Sequence, residues 1–209
     1  MLRPTKIIGV GLNYRAHAEE MKKPLPEEPL LFLKPPSALI GSDDPIVRPR
    51  GSWREIHYEG ELAVVIGRRG HRVTRDRALD HVAGYTCMND VTVRELQRKD
   101  VQYTRAKGFD SFAPAGPKVV AGLDPSRLRI ETRLNGVVKQ RSTTADMIFD
   151  VPTIIAFVSR VMTLEEGDII TTGTPPGVGP LFAGDIVEVE IEGIGVLRNP
   201  VIEEPEGAS

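Results

Sequence analysis

Apolar positions along the chain recur mostly in short alternating or continuous runs rich in Ile, Val, Leu and Tyr, the pattern of strands. Lys6 to Leu12 reads as a buried strand. Asn13 follows where a helix N-cap would sit, predicting a short helix over Tyr14 to Met21 that carries His17, Glu19 and Glu20. KKPLPEEP, with Pro24, Pro26 and Pro29, is predicted to be an exposed loop suited to a mobile lid over about residues 19–30. LLFLKPPSALIG reads as a strand and turn, GSDDPIVRPRGS as a loop, and REIHYEGELAVVI as a strand from Arg54 to Ile66. Another strand is expected around AGYTCMND, ending at Asp90. The spacing of Val91, Val93 and Leu96 then suits a short amphipathic helix, and RAKGFDSFAPAGP a loop.

The second half is patterned more sharply. Asn135-Gly136, between Arg129–Leu134 and Val137–Ser142, is a strong hairpin signal. Pro152 to Met162 is a helix with Ile154, Ile155, Val158, Val161 and Met162 on one face. A strand through Ile169 and Ile170, the loop TGTPPGVGP, and the strands IVEVEI and GVLRNPV complete the body. Residues 204–209 are expected to be a disordered tail. Strands outnumber helices and recur as hairpins, so the fold class is α+β with a β-rich core in one compact domain over residues 1–203.

Composition narrows the classes. The chain has 209 residues, 40% of them hydrophobic, enough for one well-filled core. Lys plus Arg number 27 against 29 Asp plus Glu, so no global field points to nucleic acid or an anionic membrane. No apolar run approaches the roughly 20 residues that span a bilayer, and the start lacks a signal-peptide core. Cys87 is the sole cysteine and lies in an apolar stretch, where a buried inert thiol in a reducing cytoplasm is expected.

The candidate chemistry centres on Glu59 and Glu61. In a strand they share a face with Glu55 and His57, and that face continues into Ala63 and Val65. Two like charges beside apolar positions repel and lose hydration unless a cation lies between them or one is protonated. A plain solvent-facing strand edge shows the same alternation, and Asp90 is equally placed to be a helix N-cap. Three carboxylates with no thiolate select a hard cation, Mg²⁺, Mn²⁺ or Ca²⁺, over zinc and leave coordination positions open. His17 and Glu20, three apart on the predicted helix, suit an oriented general base or merely a polar helix face. Lys107 suits anion binding or a solvated loop. Thr174, with the backbone amides of its loop, suits an anionic group or a tight turn, and Arg94 and Gln97 lie near the metal if Asp90 is a ligand.

Taken in order, GLNYRAHAEEM, FLKPPSALIG, HYEGELAVVIG, GYTCMNDVTVRELQ, RAKGFDSFAPAGP, MIFDVPTIIAFVSRVMTLEEGDIITTGTPPGVGP and GDIVEVEIEGIGVLRNPV resemble the fumarylacetoacetate hydrolase family from about Lys6 to Glu203. The few residues before GLNY resemble its short acylpyruvase-like members. The resemblance implies a mixed β-roll, a homodimer and a small keto-acid substrate. It implies Glu59, Glu61 and Asp90 as ligands of Mg²⁺ or Mn²⁺, His17 and Glu20 as the catalytic dyad, and Lys107 as the active-site lysine. Arg94, Gln97 and Thr174 match positions that contact the substrate's carboxylate end. The activity expected is hydrolysis of a C–C bond in an acylpyruvate through a metal-bound enolate. The same residues also suit 2-hydroxyhepta-2,4-diene-1,7-dioate isomerisation or decarboxylation of oxaloacetate, and a noncatalytic ligand-binding protein would keep the fold without turnover.

Overall fold

A computed structural model describes residues 2–51 and 53–206. The chain runs through β1 (Ile7–Gly11), α1 (Arg15–Glu20), β2 (Leu30–Lys34), β3 (Leu39–Ile40), β4 (Ile46–Arg48), β5 (Ile56–Tyr58) and β6 (Gly60–Ile66). It continues as β7 (Val82–Asn89), β8 (Thr92–Val93), α2 (Arg94–Lys99), α3 (Thr104–Lys107) and β9 (Ala113–Val120). The remainder is β10 (Arg129–Leu134), β11 (Val137–Thr143), α4 (Val151–Val161), β12 (Ile169–Thr171), β13 (Gly179–Pro180), β14 (Ile186–Ile191) and β15 (Gly195–Glu203).

These strands form a mixed seven-stranded sheet in the order β2-β1-β12-β6-β7-β9-β3, a five-stranded sheet in the order β11-β10-β14-β15-β4, and a small sheet β13-β5-β8. β6 is central and buried along its whole length. Its Leu62, Val64 and Ile66 pack with Ile154, Ile155 and Val158 of α4 and with Ile130, Val189 and Leu197 of the five-stranded sheet. Its other face sets Ala63 against Ile7, Met88 and Ile169. Complete burial of a Leu or Val side chain stabilises by about 1.5–3 kcal/mol, so the strand that carries Glu61 is anchored from both sides. The apolar cluster beneath the small sheet, with Ile56, Tyr58, Val93, Leu96 and Phe112, anchors the chain before Glu59 and after Asp90.

Several expectations hold in detail. The Asn135-Gly136 turn joins β10 to β11 with φ of 52° and 75°, the left-handed pair that a type I′ hairpin requires. α4 starts on Asp150, whose carboxylate accepts from Thr153 N at 2.9 Å, with Pro152 in the first turn. The loop of residues 22–29 has no regular structure.

Other expectations are corrected. The strand drawn from Arg54 to Ile66 breaks at Glu59, because β5 belongs to the small sheet and β6 to the large one. Asn13 does not cap α1; its side chain clamps two loops instead, accepting from Phe149 N and donating to the carbonyls of Phe149 and Thr172. Asp90 is not a cap either, since α2 begins at Arg94 after a short strand. The segment GSDDPIVRPRGS contains β4, paired in parallel with β15, and RAKGFDSFAPAGP contains the end of α3 and the start of β9. Of the expected tail, Glu204 is tied down by bonds to Arg48 O and Arg50 N, while 207–209 lie outside the described residues. Among the described residues no helix is long and apolar enough to cross a membrane. Cys87 is buried, and burial pushes its thiol up to about 12.

Gly60 is what permits the break at Glu59. A Cβ there would overlap Thr132 Oγ1 of β10 and press on Gln140, so the backbone lies directly against the five-stranded sheet. Gly60→Ala should therefore lower stability by about 1–3 kcal/mol, the usual cost of overpacking, and displace both flanking glutamates. Denaturant unfolding checks this, and an unchanged midpoint would contradict the packing described.

Candidate metal centre

The end of the β6–β7 ladder brings the carboxylates together. Gly60 is in register with Asn89, and the next backbone bond runs from Asp90 N to Glu59 O at 2.9 Å. Asn89 Oδ1 accepts from Glu59 N at 2.9 Å and fixes the turn of the chain there. Glu61 enters from the first full pleat of β6. One oxygen from each of Glu59, Glu61 and Asp90 lies within 4.8 Å of the others, and all three residues are buried.

Such a cluster needs positive charge, and the structure supplies it unevenly. Lys107 Nζ donates to Asp90 Oδ2 at 2.5 Å, Glu59 Oε2 at 3.0 Å and Thr92 Oγ1 at 2.7 Å. Lys34 Nζ reaches Asp90 Oδ1 at 2.5 Å, and Arg94 Nη2 reaches Glu59 Oε1 at 2.5 Å. Glu61 has no basic partner among the described residues: its Oε2 accepts from the Thr171 hydroxyl and, at 2.7 Å, from Gly173 N. Burial alone would raise the Glu59 carboxyl, but Arg94 and Lys107 hold it below the usual range. Burial, then Asp90 and Glu59, push the Glu61 carboxyl well above that range. A buried carboxylate with neighbouring anions and no counterion is where a divalent cation fits, and three oxygens within reach of one point complete a hard-ion donor set.

α1 places His17 over this floor. Its Nδ1 lies 3.0 Å from Glu20 Oε2, and Glu20 is itself held by Gly177 N at 3.1 Å. The amides of the TGTPPGVGP loop thus bind the protein's own carboxylates, Gly173 to Glu61 and Gly177 to Glu20. Thr174 donates to Gly60 O at 2.9 Å and accepts from the Gln140 amide at 2.8 Å, so it braces the Glu-Gly-Glu turn while lining the cavity. Arg94 Nη1 donates to Gln97 Oε1 at 2.8 Å. Every expected site residue except Glu20 lines one cavity, and Glu20 sits behind His17.

The family model described as fumarylacetoacetate (FAA) hydrolase C-terminal matches residues 6–202. The chain belongs to the fumarylacetoacetate hydrolase family. Its fold is similar to that of 5-carboxymethyl-2-hydroxymuconate delta-isomerase from Mycobacterium smegmatis, with a TM-score of 0.92 and 49% identity over 98% of this chain and 81% of that one. It is 43% identical to the oxaloacetate tautomerase YisK of Bacillus subtilis over 95% of this chain and 70% of the relative. Maleylpyruvate hydrolase from Sphingobium sp. SYK-6, solved with manganese(II) and pyruvate, matches with a TM-score of 0.86 and 38% identity over 98% of this chain and 73% of that one. Members of this family are enzymes, and the acidic triad sits in this one where β6 and β7 of the seven-stranded sheet give way to β5 and β8 of the small one.

Three groups escaped the reading of the sequence. Lys34 is fully buried against Asp90, Gln140 clamps Gly60 N at 3.0 Å, and Phe32 lies under Lys107 Nζ at 4.8 Å. Lys34 and Phe32 stand in FLKPPSALIG, so the only signal was a lysine inside an apolar strand. Gln140, in an ordinary hairpin strand, gave none.

The raised Glu61 carboxyl sets a sign. The folded metal-free protein binds that proton more tightly than the unfolded chain, so its stability should fall as pH rises above the ordinary carboxylate range. A cation must displace the same proton, so Mn²⁺ affinity should rise with pH, with about one proton released per ion. Titration calorimetry in buffers of different ionisation enthalpy measures this. Binding without proton release would show that Glu61 is already ionised.

Proposed function

We propose that this protein is a divalent-cation-dependent enzyme that moves a proton at C3 of 2-oxo acids through an enolate, working as an enol–keto isomerase, with Mg²⁺ or Mn²⁺ as its ion. The observation that carries the reading is the charge of the buried floor. Glu59, Glu61 and Asp90 stand against Lys34, Lys107 and Arg94, three against three, so a divalent ion leaves an excess of two positive charges. A 2-oxo acid in its enolate form, with one carboxylate and one enolate oxygen, is the complementary dianion.

When bound, the cation would polarise the 2-oxo group and offset charge that grows on its oxygen. His17 in its neutral form takes the proton from C3, and the C–H electron pair becomes the C2=C3 bond while the carbonyl pair moves onto oxygen. Glu20 holds the imidazole at Nδ1, so Nε2 is the nitrogen that accepts. Lys107 lies beside the floor carboxylates with its ammonium fixed, a preorganised positive charge that offsets the enolate charge. Arg94, backed by Gln97, is placed to receive the substrate carboxylate. The imidazolium then returns its proton to oxygen, giving the enol, or to a conjugated carbon further along, moving a double bond. The names of the isomerase and tautomerase relatives support this order of preference.

Hydrolysis of acylpyruvates is the second reading, favoured by the likeness to maleylpyruvate hydrolase. Here His17 takes a proton from water, the hydroxyl adds to the distal carbonyl carbon, and the C3–C4 bond breaks with its pair going to the pyruvate enolate. The His17 proton then quenches C3, releasing pyruvate and a carboxylic acid.

Both readings are tested with enol-oxaloacetate and a panel of acylpyruvates, following enol absorbance and product acids. Wild-type protein with Mn²⁺ should ketonise the enol, and chelation should abolish this. His17→Ala should lower turnover by about 10²–10⁴-fold while still binding Mn²⁺, whereas Glu59→Gln should lose the ion. Turnover that survives metal removal, or a His17→Ala protein with the wild-type rate, would refute the mechanism. Stoichiometric pyruvate from acylpyruvates, with no ketonisation, would favour hydrolysis.

A further inference from the structure

The cavity has a direction. Its floor is the buried set Glu59, Glu61, Asp90 and Lys107, and its mouth is formed by the exposed residues Met21, Lys23 and Leu30. A substrate whose 2-oxo acid end occupies the floor must therefore point its other end toward the mouth. The wall between them is apolar, with Phe32 and Tyr103 meeting edge to face at 5.9 Å between ring centroids. The acidic residues that line the cavity are Glu59, Glu61 and Asp90, all at the floor. Of the cationic residues lining it, Lys107 and Arg94 are engaged by those carboxylates, whereas Lys23 makes no ion pair among the described residues.

Lys23 is also tied to the catalytic unit. Its backbone N–H donates to Ala18 O at 3.0 Å, which fixes the first residues of the following loop to the end of α1, one turn beyond His17. An ammonium that makes no ion pair at the open end of an apolar channel, with Glu27 and Glu28 on the adjoining surface but not lining the cavity, is a recognition element for an anion carried by the far end of the ligand.

We infer that Lys23 is a specificity-determining residue and that the preferred substrates are 2-oxo acids whose far end bears a second carboxylate. This rests on the 2-oxo acid reading of the site and adds which members of that class it selects. Tyr103 and Phe32 then hold the intervening carbon chain, and Lys23 pairs with the terminal carboxylate as it reaches the mouth.

The test uses two acylpyruvates of equal length, succinylpyruvate, which ends in carboxylate, and butyrylpyruvate, which ends in methyl. Their enol–keto conversion and any cleavage by the Mn²⁺-loaded full chain are followed through enol absorbance and released pyruvate for wild type, Lys23→Met and Lys23→Arg. The wild type should favour succinylpyruvate in kcat/KM by up to about fivefold, the scale of a partly exposed ion pair, chiefly through KM. High salt should erode that preference. Lys23→Met should abolish it, the loss falling on kcat/KM for succinylpyruvate rather than for butyrylpyruvate, and Lys23→Arg should keep it. Equal use of both substrates by the wild type, or a preference that survives Lys23→Met, overturns this inference alone. Neither enol–keto conversion nor cleavage of either substrate by the metal-loaded wild type overturns the 2-oxo acid reading and this inference with it.

Discussion

Lys107 Nζ lies between Glu59, Asp90 and Thr92, buried, and the geometry of the floor depends on that contact. Two carboxylates in a protein interior repel each other and forfeit hydration, and neither effect is small where water is excluded. One ammonium with three acceptors satisfies its donors and fixes both carboxylates. Lys34 and Arg94 then take the outward oxygens of Asp90 and Glu59. Glu61 is left out of this arrangement: burial and its anionic neighbours favour its protonated form, and a cation that displaces this proton would supply the partner the protein does not. The same cationic groups that steady these carboxylates would leave a cation-loaded site positively charged, the excess to which the proposed dianionic enolate is complementary.

The fold makes this arrangement possible by letting two strands end together. β6 is packed on both faces, so Glu61 has little freedom, while Glu59 stands at the gap between two sheets where Gly60 passes against β10. Gln140 and Thr174 hold the peptide groups of that glycine from either side. The proposed base is held differently. His17 stands on a helix of only six residues, far too short to be stable alone, and its orientation comes from Glu20 and from Gly177 across the site. A rigid anionic floor thus faces the proposed base on a lightly supported element.

Much of this was legible in the chain. The His17–Glu20 spacing, the Glu59-Gly60-Glu61 step and Asp90 are local patterns, and the Asn135-Gly136 hairpin and the face of α4 follow from turn chemistry and helical period. The family resemblance then put those local patterns in one frame. What stayed hidden depends on distant segments meeting. Asn13 looked like a cap because the same side chain that caps helices also clamps loops, and only the approach of residues 149 and 172 decides between them. β4 went unseen because its three residues are a strand only beside β15. Lys34 could not be told from a strand-edge lysine until Asp90 was seen above it.

The proposed function requires the floor and His17 together to make and stabilise the enolate of a 2-oxo acid. Its most direct measurement is exchange of the C3 protons of pyruvate for deuterium in D₂O, followed by proton NMR. Exchange well above the buffer rate is expected, needing both a divalent cation and His17 and stopping when the cation is chelated. Exchange no faster than buffer, with the cation demonstrably bound, would contradict it.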